Sequence, residues 1–163
     1  MPPKAQVVLT RVFRFSASHR YHDPALSEEE NRRLFGACAN PYGHGHNYRL
    51  EISVCGPVEP RTGMLCDLPS LEELVRREVL DRYDHRHLSH EVDDFRGSQP
   101  TTEQIALAVW QRLDGRLGQV RLHRVRVWES DELYAEVCRG EEQAPGAPIS
   151  SGQKSPAPPS AAS

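Results

Sequence analysis

The sequence predicts one α+β domain, because its strand and helix patterns follow one another in the order ββααββ. Residues 11–19 and 44–54 carry apolar side chains at every second position, which is the period of a strand with one buried face. Two segments with helical spacing come next, and alternating residues return at 120–129 and 133–138. The predicted sheet therefore has four antiparallel strands, with two helices between the second strand and the third.

Both predicted helices begin in a way that is typical of helix starts. The first has apolar side chains at helical spacing over residues 71–79 and follows a proline, which is favoured in a first turn. The second has an apolar stripe over residues 105–113, and Thr101 with Gln104 three residues later resembles a capping box. Between the first two strands, the polar segment 27–33 is expected to be an excursion of the chain.

Composition narrows the class of protein. The 163 residues have a formal net charge of −3, whereas a nucleic-acid-binding domain usually has a clear basic excess. No apolar signal core is present at the start, and no segment is long enough to cross a membrane. The four cysteines have no paired spacing, so we expect reduced thiols in a cytoplasmic protein: Cys38, Cys55, Cys66 and Cys138.

The chain is predicted to divide into a domain at residues 1–140 and a tail at residues 141–163. The tail is rich in Pro, Ala and Ser, and Ile149 is its single large aliphatic residue. Such a segment cannot bury enough apolar surface to offset the entropy lost on ordering. We therefore expect a disordered tail without a catalytic role.

Histidines provide a candidate metal site. His44 and His46 lie two residues apart on a predicted strand and point to the same side, and Gly45 between them allows a close backbone approach. His19 ends the apolar face of the first strand, and three imidazoles with an open position are typical of catalytic zinc. His22 is a competing ligand, but it lies three residues after His19 and therefore does not share its side of the strand. The alternative interpretation is a set of hydrogen-bonded loop histidines.

Other polar residues close to these patterns are candidates for chemistry. Cys38 lies in a Gly- and Pro-rich loop six residues before His44, so it is a reactive thiol, a fourth zinc ligand or a small buried residue. Asp84 beside His85 forms a candidate acid–base pair, or a solvated helix end. Glu129 at a strand end is a candidate to bind a ring with adjacent N–H groups.

Six motifs together resemble the family of 6-pyruvoyltetrahydropterin synthase and 6-carboxytetrahydropterin synthase. The resemblance covers roughly residues 10–139. Its motifs are FSASHR at 15–20, LFGACANPYGHGHNY at 34–48, TGM at 62–64, DH at 84–85, TTE at 101–103 and VWES at 127–130.

The resemblance implies a role for each candidate residue. His19, His44 and His46 match the family's zinc ligands, and Cys38 matches the cysteine that acts as a base on the substrate side chain. Asp84 and His85 match the partners that assist proton transfer. The pterin ring is implied to bind Glu129 and the backbone around Thr101 and Thr102.

The implied activity is that of a zinc-dependent lyase acting on 7,8-dihydroneopterin triphosphate. Zinc makes the side-chain hydroxyls more acidic, the cysteine moves a carbon-bound proton, and triphosphate leaves to give 6-pyruvoyltetrahydropterin. The alternative is the 6-carboxy-5,6,7,8-tetrahydropterin synthase of queuosine biosynthesis, which releases a two-carbon fragment from the same substrate. The six-residue spacing between Cys38 and His44 resembles that of the pyruvoyl-forming enzymes of the family and favours the first activity. A more remote alternative is a non-catalytic protein of this fold that binds pterin or metal.

The resemblance also implies an assembly. The family has the tunnelling fold, in which three subunits close a β-barrel and two trimers stack into a hexamer with active sites between subunits. Cys38 and the histidines are expected from one subunit and Glu129 from its neighbour. The expected partner is a pterin triphosphate, without nucleic acid or membrane, and candidates to hold the triphosphate are Arg11, Arg14 and Arg20.

Overall fold

The computed structural model describes residues 6–140 as a sheet with helices packed on one face. β1 (Val7–His19) pairs antiparallel with β2 (His44–Gly56) along its whole length. β2 also pairs with β4 (Arg121–Trp128), which pairs in turn with β5 (Tyr134–Cys138). The predicted α+β architecture is confirmed, and the predicted disordered tail lies outside the described residues.

The sheet has five strands rather than the predicted four. The additional strand, β3 (Arg86–His87), is two residues long and runs parallel to β1 at Ala17 and Ser18, so the strand order is β3-β1-β2-β4-β5. His85, with a φ of 58°, turns the chain towards β1, and its backbone N–H donates to the Ser16 carbonyl at 2.6 Å. So short a strand has no alternating pattern, which is why the sequence did not reveal it.

Both predicted helices are present, and the first is not continuous. α2 (Leu68–Val75) passes through a π-helical segment at Arg76–Leu80 into the short α3 (Asp81–Tyr83). α4 (Leu88–Glu91) is a single turn, and α5 (Thr102–Leu113) is the second predicted helix. Within residues 6–140 no helix combines the length and apolar character needed to span a bilayer.

The segment expected to be a polar excursion contains a helix, α1 (Glu28–Phe35). It lacks an apolar stripe, and its start is stabilised by a capping box between Ser27 and Glu30. The buried Asn31 amide donates to three backbone carbonyls and accepts from the Asp23 N–H, which fixes the helix against the preceding loop. The Ser-x-x-Glu spacing was the available sequence signal.

The core lies between the sheet and the two long helical segments. Side chains that alternate along β1, β2 and β4 pack against α2, its π-helical extension and α5. Fully buried members include Leu50, Ile52, Val54, Val75, Val79, Ile105, Val109, Leu113 and Val125. The histidine ends of β1 and β2 continue this packed face, so the site is built at the edge of a rigid core.

Candidate metal centre and active site

Three histidines converge where β1 ends and β2 begins. The antiparallel register places His19 opposite His44 and Ala17 opposite His46, so all three imidazoles project from one side of the strands. One ring nitrogen of each lies within 4.8 Å of the others, and Nε2 of His19 is 2.9 Å from Nε2 of His44. A Cβ atom on Gly45 would lie 3.2 Å from the Ala17 carbonyl, which explains the small residue between two ligands.

Burial favours the neutral form of His19 and His46. His19 is fully buried, and loss of hydration is the main reason why its pKa falls to about 4. Glu129 opposes this shift, while His46 and His44 add to it. Burial also lowers the pKa of His46. Neutral imidazoles have the free lone pairs that a metal ion needs.

Tyr48 orients one of the histidines. Its hydroxyl lies 3.2 Å from Nδ1 of His19, so the other nitrogen, Nε2, is turned towards the centre of the group. The Tyr48 ring is itself fixed, because it is buried and stacks on Phe15 with 4.9 Å between the ring centroids. A hydrogen bond at the second nitrogen is the usual companion of a metal-binding histidine.

The arrangement fits a metal ion. Within the described chain, Nε2 of His46 is buried without a hydrogen-bond partner, which is costly unless another ligand satisfies it. Among residues 6–140 the group of close ligand atoms consists of His19, His44 and His46. Three nitrogens without a fourth protein ligand are typical of a catalytic zinc site.

Cys38 lies beside this group. It belongs to a 3₁₀ turn at Gly36–Ala39, and its Sγ is 3.7 Å from Nε2 of His44. Partial burial, followed by the negative charge of Glu129, raises the pKa of the Cys38 thiol in the metal-free chain. All four cysteines are free thiols.

Glu129 also lies next to the histidine group. Its Oε1 lies 3.6 Å from Nε2 of His46, and its Oε2 accepts a hydrogen bond of 2.7 Å from the Thr102 hydroxyl. The expectation that Glu129 comes from a neighbouring subunit is wrong, because β4 pairs directly with β2 and brings Glu129 to the site of its own chain. Thr101 caps α5 by accepting from the Gln104 N–H.

Asp84 and His85 form a pair that the structure places elsewhere. Oδ2 of Asp84 is 3.0 Å from Nδ1 of His85, and Oδ1 accepts from the Ser16 N–H. That hydrogen bond lowers the pKa of Asp84, with a smaller contribution from His85. His85 is largely exposed beside a cleft of about 440 Å³ that includes Ser16 and Asn47. Within residues 6–140 the pair forms no hydrogen bond or ion pair with Cys38 or the three histidines, although His46 lines the same cleft as His85.

Two further residues complete the surroundings, and the sequence analysis assigned them no role. Tyr21 packs its ring on His19 with 4.7 Å between centroids, and its N–H donates to the Cys38 carbonyl. Tyr48 lies two residues after His46 on the same strand, so its side chain points to the same side as the histidines. This spacing was the sequence signal for Tyr48. His22 does not join the metal group, since its backbone is held by the Gln99 side chain.

Comparison with known proteins agrees with this geometry. The family model described as 6-pyruvoyl tetrahydropterin synthase matches residues 8–140. The 6-pyruvoyl tetrahydrobiopterin synthase of Homo sapiens is 39% identical over 138 residues, which cover 85% of this chain and 94% of the human protein. The protein of the same name from Poecilia reticulata is 38% identical over 141 residues, covering 86% and 95% of the two chains.

A solved structure extends the comparison to the fold. The 6-pyruvoyl tetrahydropterin synthase of Caenorhabditis elegans is similar with a TM-score of 0.76 at 34% identity, over 86% of this chain and 100% of that chain. The matched region contains the three histidines, Cys38 and Glu129. The chain therefore belongs to the 6-pyruvoyl tetrahydropterin synthase family.

Proposed function

We propose that this protein is a zinc-dependent lyase that converts 7,8-dihydroneopterin triphosphate to 6-pyruvoyltetrahydropterin and triphosphate. The observation that supports this most strongly is the presence of a thiol and a carboxylate next to the histidine group. Cys38 Sγ lies 3.7 Å from Nε2 of His44, and Glu129 Oε1 lies 3.6 Å from Nε2 of His46. A pterin ring held at Glu129 would place its side chain next to the metal and the thiol.

The proposed cofactor is Zn²⁺ held by His19, His44 and His46. When bound there, zinc supplies Lewis acidity that makes the side-chain hydroxyls of the substrate more acidic. The lowered pKa values of His19 and His46, together with the Tyr48 hydroxyl behind His19, support this choice of ligands.

Glu129 is proposed to bind the pterin ring. Its carboxylate is only 13% exposed, and Thr102 holds one oxygen, which leaves the other free to accept ring N–H groups. The start of α5 at Thr102 adds backbone N–H groups that lack partners within the helix, whereas the Thr101 N–H donates to the Gln99 carbonyl. The ring contact proposed for Thr101 and Thr102 therefore uses the Thr102 N–H. The ring is thus oriented by one charged acceptor and a few neutral donors.

Cys38 is proposed to transfer the proton. Its thiolate removes a proton from a side-chain carbon, unsaturation moves from the ring to the side chain, and a proton returns to ring carbon. The hydroxyl proton of the carbon next to the ring passes to the ring nitrogen, which leaves a carbonyl on the side chain. A second proton then leaves the carbon beside the phosphate-bearing carbon, triphosphate departs with the electron pair of its C–O bond, and the resulting enol takes up a proton at its terminal carbon to become a ketone. The reaction therefore needs no external oxidant or reductant. The close contact between Cys38 and His44 supports this role, because it brings the thiol to the carbons next to the metal.

Asp84 and His85 are proposed to assist this transfer in the site of a neighbouring subunit. In their own chain they contact Ser16, whose side chain lies on the opposite side of β1 from His19. The pair is hydrogen-bonded and accessible, as a proton relay at a subunit boundary requires. This is consistent with sites formed between subunits.

The proposed assembly is a hexamer of two stacked trimers. β3 covers β1 only at Ala17 and Ser18, so most of the outer edge of β1 has no partner within the described chain. β5 forms the other edge, and its partner is β4 alone. Open edges favour pairing with other chains, and a barrel closed by three subunits removes them.

Two alternatives are set aside. A 6-carboxytetrahydropterin synthase would use the same substrate, but the two relatives reported above, which match more than four fifths of this chain, are named pyruvoyl synthases. A non-catalytic pterin- or metal-binding protein would not need Cys38, Asp84 and His85 together.

A cytoplasmic location is proposed because four free thiols are typical of a reducing compartment.

Metal analysis combined with turnover tests this proposal. His46→Ala should lower both zinc content and turnover, because it removes one of three ligands. Cys38→Ala should keep about one zinc per chain while turnover falls by about 10²- to 10⁴-fold, the usual effect of a lost acid–base group. Unchanged zinc in His46→Ala, or zinc loss in Cys38→Ala, would show that the ligand set is wrong.

A further inference from the structure

A cavity of about 500 Å³ opens beside His44 on the outer side of the loop that carries Cys38. The 3₁₀ turn and the residues that follow it form one wall, and the last turn of α1 forms another. Its polar side chains are Arg32, Asn40 and His44. Glu129 does not line this cavity.

The charge of this cavity differs from that of the others. Its lining has an arginine and no carboxylate. Three other cavities with arginine in their lining each include at least one carboxylate, namely Glu91, Asp23, or Asp67 with Glu73. The cavity beside His44 therefore favours an anion more than these three do.

Arg32 is available for a ligand. Within residues 6–140 it has no carboxylate oxygen within 4.0 Å, and its side chain is exposed. Of the arginines expected from the sequence, Arg11 pairs with Glu72 and Arg20 with Glu28. Arg14 alternates with Phe13 and Phe15 on β1, so it projects to the sheet face opposite the histidines.

Asn40 offers a neutral donor at the same cavity. Its Oδ1 accepts from the Tyr42 N–H at 3.1 Å, which directs its amide NH₂ group away from that turn. Nδ2 of Asn40 makes no recorded hydrogen bond within the described chain. A guanidinium and an amide that both lack partners are well suited to the oxygens of a phosphate group.

We propose that Arg32, with Asn40, binds the triphosphate of the substrate in this cavity. The proposal rests on the proposed function for the identity of the ligand, and a polyphosphate chain is the chemistry that it recognises. In dihydroneopterin triphosphate the phosphates follow the hydroxyl-bearing carbons, so they extend beyond the metal from the ring. With the ring at Glu129 and the side chain at the histidines, the phosphates reach the Arg32 side.

The test compares Arg32→Gln with Arg33→Gln in zinc-loaded protein. Arg33 is the adjacent cation, also exposed, but it pairs with Glu29 and does not line the cavity. Arg32→Gln should weaken binding of inorganic triphosphate, measured by calorimetry, by about tenfold, while Arg33→Gln changes it by less than about twofold. Arg32→Lys should recover part of the loss, because it restores charge without the planar fork.

Two further measurements distinguish a loss of phosphate binding from a general loss of pterin or zinc binding. Affinity for dihydroneopterin, which has no phosphate, and zinc content should be unchanged in Arg32→Gln. Equal losses in the two glutamine variants, or a parallel loss of dihydroneopterin affinity, would overturn the subsite. If wild-type protein forms no product yet binds triphosphate through Arg32, the proposed function fails and the subsite stands. If Arg32→Gln has normal turnover and unchanged triphosphate affinity, the subsite fails and the proposed function stands.

Discussion

The Tyr48 hydroxyl lies 3.2 Å from Nδ1 of His19, and both side chains are buried. With a metal bound at Nε2, the Nδ1–H of His19 can donate to the phenolic oxygen, which fixes the tautomer and the plane of the ring. The pKa of Tyr48 is raised well above its usual range, mainly by burial, so the phenol stays neutral. Tyr48 is therefore a positioning residue for the metal site rather than a group that reacts.

Tyr48→Phe should weaken zinc binding by about 10- to 100-fold, because it removes the oxygen behind His19 and leaves the ring packing in place. Competition with a chromogenic chelator measures the affinity directly. Tyr83→Phe is the matched control, since Tyr83 is equally buried and its hydroxyl donates to Asp94, away from the histidines. Equal zinc affinity in Tyr48→Phe and wild type would show that Tyr48 has no influence on the ligand.

The metal-free protein should lose stability in mild acid. The folded-state pKa of His19, about 4, lies below its unfolded value of 6.5, so the unfolded chain binds more protons between these values. The free energy of unfolding should be fully retained above pH 6.5 and fall by up to about 3 kcal/mol as the pH drops to 4.

Urea unfolding in the presence of a chelator, at several pH values from 7.5 to 4.5, measures this dependence. The slope should be reduced in His19→Gln, whose side chain does not titrate in that range. A wild-type slope that is the same as that of His19→Gln would contradict the buried, neutral state of His19.

Mixing two inactive variants should show which residues of a site come from one chain and which come from a neighbouring chain. Cys38→Ala and His85→Ala should each be inactive, and mixing them with subunit exchange should restore activity. Random reassembly gives roughly one site in four with both groups intact, since each site draws Cys38 and His85 from different chains.

Cys38→Ala mixed with Glu129→Ala is the matched control, because both residues lie at the histidines of one chain. That mixture should remain inactive at every ratio. Recovery in the control, or none in the Cys38 and His85 mixture, would contradict the proposed division of the site.

Strand parity predicted that His19, His44 and His46 share one side of two strands, and the family resemblance singled them out as ligands over His22 and over a set of loop histidines. His19, His44 and His46 are brought together by two adjacent strands in simple antiparallel register, so sequence positions translate directly into space. Glu129 was identified as a candidate, but its assignment to a neighbouring subunit was wrong, because strand alternation alone does not show that β4 lies beside β2.

Features without a periodic pattern could not be predicted in this way. α1 depends on a capping box and a buried asparagine rather than on an apolar stripe. β3 depends on His85 turning the chain at a positive φ. The cavity with Arg32 results from the packing of α1 against the loop before His44, which local sequence does not encode.

Product identification tests the proposed reaction most directly. Zinc-loaded protein should be incubated with 7,8-dihydroneopterin triphosphate under anaerobic conditions, and the products separated and weighed by mass spectrometry. We predict 6-pyruvoyltetrahydropterin with one triphosphate per turnover, and about 10²- to 10⁴-fold slower formation of both with Cys38→Ala. A 6-carboxytetrahydropterin product accompanied by a two-carbon fragment, or no product from zinc-loaded wild-type protein, would contradict the proposed reaction.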